Sequence, residues 1–151
     1  MPKVFPMQSL LDHSRHRMEA AERLLLMIKR KEDEAKQRLD ELDKFRSEYR
    51  SRLSDTSQGG MAIQMLRDYH AFLGKLDSAI RHQHDEVGQI HGRWQAAHEA
   101  WLSLRSKVKS YEVLADRHFN AELLRQDRLD QRQSDEMAQQ KTTANRLDER
   151  H

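Results

Sequence analysis

A chain of 151 residues that is 34% charged and 6% aromatic, with a mean hydropathy of -1.01, holds too few apolar side chains for a globular core of that length. Its formal net charge of +2 comes from finely mixed signs, as in Lys29-Arg30-Lys31-Glu32-Asp33-Glu34, which argues against the segregated basic face of a nucleic-acid binder. Cysteine is absent and the longest apolar run is Leu24-Leu25-Leu26-Met27-Ile28, which excludes disulfides, thiolate metal sites and a bilayer span.

In chain order, residues 1–8 read as a lead-in. Pro6 suits the first turn of a helix, and Ser9 is a candidate N-cap with Asp12 three residues on. Helix one is expected over about 8–53. Positions 11, 14, 18, 21, 25, 28, 32, 35, 39, 42, 46, 49 and 53 alternate steps of three and four, and only Ser14, Glu32 and Arg46 among them are not apolar. The run Ser54-Asp55-Thr56-Ser57-Gln58-Gly59-Gly60 collects capping residues and two glycines, and is expected to turn the chain over about 54–61.

Helix two is expected over about 62–140. Its stripe is 62, 66, 69, 73, 76, 80, 83, 87, 90, 94, 97, 101, 104, 108, 111 and 115, with Gln83 the sole polar member. Beyond it come His118, Glu122 and Arg125, and the apolar repeat fades. The Lys-Thr-Thr-Ala-Asn run from Lys141 forms helix poorly and predicts a frayed tail.

Both stripes have the 3.5-residue period that keeps one seam facing a partner in a left-handed coiled coil. The expected fold is all-α: a long antiparallel two-helix coiled-coil hairpin, one domain over 1–151, with an overhanging C-terminal helix. With Leu53 near Ala62, Leu11 falls near Leu104, and residues after about Tyr111 lack a partner in the chain. The sustained seam argues against disorder, except near the C-terminus.

Chemistry is scarce. His70, His84, His91 and His98 share one heptad position, about 10.5 Å apart when seven residues separate neighbours, too far for two to bind one metal ion. His13 and His16 lack a further ligand. No phosphate loop follows Gly59-Gly60, and exposed carboxylates on a two-helix scaffold have no environment for acid–base work. The chain reads as no enzyme, with no catalytic residue, metal or cofactor. Trp94 and Trp101 are bulky for a two-stranded seam and are expected to lie half exposed. Met65, Phe72 and Ala79 repeat every seven residues on a flank of helix two and, with Leu76, make an apolar strip. The strip packs on Phe45 or Tyr49 of helix one, or docks another protein.

Three segments resemble the FliJ family of the flagellar type III export apparatus: Phe5-Pro6-Met7-Gln8-Ser9-Leu10-Leu11-Asp12, the stretch from Asp68-Tyr69-His70-Ala71-Phe72 to Ile80, and Arg128-Leu129-Asp130-Gln131-Arg132-Gln133-Ser134-Asp135-Glu136-Met137-Ala138-Gln139. The resemblance implies a stalk in the pore of the hexameric export ATPase, promoting its assembly and activity. It implies further partners in a membrane export-gate protein and substrate chaperones. It places gate contacts on Phe72, Leu76 and Ala79, and Gln83 departs from the histidine the family pattern has next. The C-terminal segment, with Gln131, Arg132, Asp135 and Glu136, is expected to meet the ATPase ring. A cytoplasmic protein, peripheral at the inner membrane and monomeric when free, is implied. The injectisome stalk and a generic coiled-coil tether are the alternatives.

Overall fold

The computed structural model describes residues 3–150; Met1, Pro2 and His151 lie outside them. Two helices follow in order, α1 (Gln8–Gln58) and α2 (Ile63–Glu149), with no strand among the described residues, so the chain is all-α as the two stripes require. The amide of Leu11 donates to the Met7 carbonyl at 3.0 Å, so the helical ladder starts before Ser9, which lies inside α1 rather than capping it. Pro6 sits in the turn just ahead, where its missing N–H costs nothing. Contacts divide the chain into two units.

The first unit is Glu19–Ser103. Here α1 and α2 pack antiparallel on either side of the 59–62 connection. Every stripe position of α1 from Ala21 to Leu53 is buried or half-buried, and so is every one of α2 from Leu66 to Trp101; Ala62, ahead of the helix, is exposed. Leu39, Leu76 and Ile80 form a buried cluster, with Leu42 and Val87 packed against it. Burying each large aliphatic side chain contributes about 1.5–3 kcal/mol.

The connection is shorter than the sequence suggests. Residues 54–57 continue α1, with the Ser57 hydroxyl donating to the Ser54 carbonyl at 3.0 Å. The amides of Gly59 and Gly60 then bond back to Thr56 and Ser57, and Gly60 takes φ 87°, which favours glycine. Extending α1 to Gln58 also shifts the register. Pairing Leu53 with Ala62 would set Glu32 opposite Gln83, whereas Glu32 meets His91 and Gln83 meets Ala35.

The second unit gathers the chain up to Met18 with α2 from Leu104. Leu11, Ser14 and Val108 are buried in its seam. Arg15 bonds Glu112 at 3.3 Å, and the Phe5 ring lies 5.7 Å from His118. His118 Nε2 donates to the Lys3 carbonyl at 3.0 Å, and the Lys3 amide reaches Glu122 at 3.5 Å. Intrachain pairing thus runs to Glu122, past the expected limit near Tyr111. The lead-in supplies the partners, and polar groups replace the apolar repeat at 118 and 122. From Leu123 on, every described side chain is exposed. The helix nevertheless persists to Glu149, with the Thr142 and Thr143 hydroxyls donating back to the carbonyls of Ala138 and Gln139, each at 2.8 Å. No helix among the described residues is long and apolar enough to cross a membrane.

Candidate functional site

Near the connection, the flank strip is built from both helices. Phe72 is 38% exposed, its ring 4.6 Å from Tyr49 and 6.2 Å edge-on to Phe45, which is 44% exposed. Tyr49 also lies 5.0 Å from Tyr69. Burial first, then the neighbouring Tyr69 and Asp68, push the Tyr49 phenol above its usual range, so it stays neutral. Phe72 therefore packs one side on α1 and leaves the other exposed. Met65 and Ala79 are exposed. Leu76, only 7% exposed, belongs to the buried cluster and supports the strip from beneath. The sequence reading took Phe45 as packing alone, yet it forms part of the exposed apolar surface.

A second surface is the single-helix part of α2. Gln131, Arg132, Asp135 and Glu136 are all exposed there. At 100° per residue they share one face, and Arg132, Asp135 and Glu136 line an open depression with Gln139, Thr142 and Arg146. Leu129, Met137 and Leu147 stand exposed along the same stretch. Just before it, burial raises the Glu122 carboxyl pKa, but Arg125, the Lys3 amide and the charges of Arg125 and His118 outweigh burial and hold it below the carboxylate range.

The seam of the Glu19–Ser103 unit carries polar groups of its own. Glu32 is 1% exposed, the most fully buried large side chain. Its Oε1 accepts from Lys36 and from His91 Nδ1, each at 3.0 Å, and Lys29 lies 4.0 Å from Oε2. Burial pushes this carboxyl up, yet those hydrogen bonds and the two lysine charges outweigh burial and leave it below its ordinary value. Gln83, the polar exception of α2, donates from Nε2 to the Ala35 carbonyl at 3.0 Å; Ala35 is small enough to admit it. Arg46 turns to Asp77 at 3.2 Å and Asp43 at 3.4 Å. His91, Trp94 and His98 stack in sequence along α2, with centroid spacings of 5.9 and 4.9 Å, the Trp101 ring lies tilted 6.0 Å from His98, and both tryptophans are half-buried. No three histidines or carboxylates among the described residues gather as a metal cage.

The family model of the flagellar FliJ protein matches residues 2–147. Over 133 residues the chain is 29% identical to the flagellar FliJ protein of Salmonella typhi, an alignment covering 88% of this chain and 90% of that one. Over 131 residues it is 28% identical to that of Escherichia coli K12, covering 87% and 89%. No solved structure matches. Matched over nearly its whole length, the chain belongs to the flagellar FliJ protein family.

Proposed function

We propose that the chain serves flagellar protein export as a non-enzymatic stalk. Its N-terminal turns and the exposed end of α2 enter the pore of the hexameric export ATPase and favour its assembly and turnover. The supporting observation is the unit that pairs the chain start with α2 as far as Glu122 and leaves the helix from Leu123 to Glu149 solvated along its whole length. A lone polar helix of that length is marginal in water and gains from a surrounding partner. Its mixed charges, with Arg132, Asp135 and Glu136 on one face, suit many weak polar contacts with similar ring subunits.

The apolar strip of Phe72, Ala79 and Phe45, backed by Leu76, docks the membrane export-gate protein, and export chaperones are further partners. This places the protein on the cytoplasmic side, held peripherally at the flagellar base. Flagellar membership supports this machinery over the injectisome. The direct test adds the purified chain to the purified export ATPase and follows phosphate release and hexamer formation. Both should rise with added chain; no change in either leaves the tether reading in its place.

A further inference from the structure

We infer that the Gln83–Ala35 hydrogen bond, and not the buried Glu32, locks the register of α1 against α2 in the Glu19–Ser103 unit. The aliphatic positions of a heptad seam discriminate weakly against a slip of seven residues, since Leu, Ile and Val then meet others of the same kind. Beyond the short 59–62 connection, register must then come from groups that do not repeat. Glu32 is the first candidate, being wholly buried and bonded to His91 across the seam at 3.0 Å.

The sequence, however, sets His84 and His98 seven residues either side of His91, at the same heptad position. A slip of α2 by one heptad in either direction brings one of them to Glu32. Lys36 and Lys29 stay in place, because they lie on α1 with it. Glu32 therefore finds an imidazole in all three registers and cannot distinguish them.

Gln83 is different. The corresponding positions one heptad away are Leu76 and Ile90, and neither can bond the Ala35 carbonyl. A slip also carries the Gln83 amide away from Ala35, against apolar seam residues, and a buried amide without a partner costs about 1–3 kcal/mol. Only the observed register satisfies both polar groups; Arg46 loses Asp77 on a slip as well, but keeps Asp43 on its own helix.

The chain has no cysteine, so nitroxide labels can be placed cleanly at Ser47→Cys and Ala96→Cys, both exposed positions of this unit. A one-heptad slip moves the labels along the axis by about 10 Å. Pulsed dipolar spectroscopy should show one distance in the otherwise native chain and one in Glu32→Leu. Gln83→Leu, which suits the apolar seam and should stay helical by circular dichroism, should gain a second distance displaced by about 10 Å. A single native distance in Gln83→Leu overturns the inference. So does a second distance in Glu32→Leu or in the native chain.

Discussion

Glu32 shows how a charged residue survives inside a seam. Its desolvation is offset by three cationic or N–H partners, two from its own helix and one from α2. Such a cluster is weak evidence of stability, because replacing a buried ion by an apolar residue of similar size is often neutral or stabilising. Glu32→Leu should leave the urea midpoint unchanged or raise it at pH 7. The pH dependence has a definite sign. Since the folded carboxyl titrates below its unfolded value, its contribution is complete above about pH 4.3 and is lost as pH falls through the lower folded value. Native protein should therefore lose stability between pH 5 and pH 3 more steeply than Glu32→Leu, as measured by urea melts across that window. Parallel losses in the two proteins would mean that the Glu32 carboxyl is not held down by its partners.

Leu76 and Phe72 separate packing from presentation. Leu76→Ala empties part of the buried cluster and should cost about 2–5 kcal/mol. Phe72 keeps only one side against Tyr49 and Phe45, so Phe72→Ala should cost about 1–2 kcal/mol, below the 3–5 typical of a core phenylalanine. Thermal melts rank the two. If Phe72 matters more to folding than Leu76, the strip is core rather than surface. In the proposed reading, Phe72→Ala and Phe45→Ala each weaken binding to the purified gate domain while the fold persists.

At the level of elements, glycines have opposite roles at the connection and within α2. Gly60 holds φ 87°, so Gly60→Ala should destabilise by about 1 kcal/mol. Gly88 sits in mid-helix, and a methyl group there meets nothing. Gly88→Ala should raise helix stability by about 0.5–1 kcal/mol. Urea melts of the two variants should move in opposite directions.

The helices themselves were legible from heptad spacing, since the period alone states which face must be covered. Their ends were less so. Residues 54–57 read as a turn because Ser, Asp and Thr favour caps, but nothing in those side chains forbids helix when the helix behind them is already formed. The partners of His118 and Glu122 were hidden for a different reason. They are backbone and ring groups of Lys3 and Phe5, and an apolar pattern cannot announce a polar pairing. The strip containing Phe72 was visible as a seven-residue repeat, whereas the exposure of Phe45 beside it depends on packing across two helices.

For the whole molecule, the proposed function rests on surfaces rather than on a pocket. The pairing of the chain start with α2 as far as Glu122 fixes where a truncation separates scaffold from contact surface. A cut after Tyr111 would also remove Glu112, His118 and Glu122, and with them the partners of Arg15, Phe5 and Lys3. Deleting residues 126–151 spares all of these and removes Gln131, Arg132, Asp135 and Glu136. The deciding measurement is the rate of ATP hydrolysis by the purified export ATPase with the full chain and with this truncation, each checked for helicity. Stimulation by the full chain and none by the truncated one is the predicted result. Equal stimulation by both would contradict the stalk account, because the exposed end of α2 would then be a tail without a role in the ring.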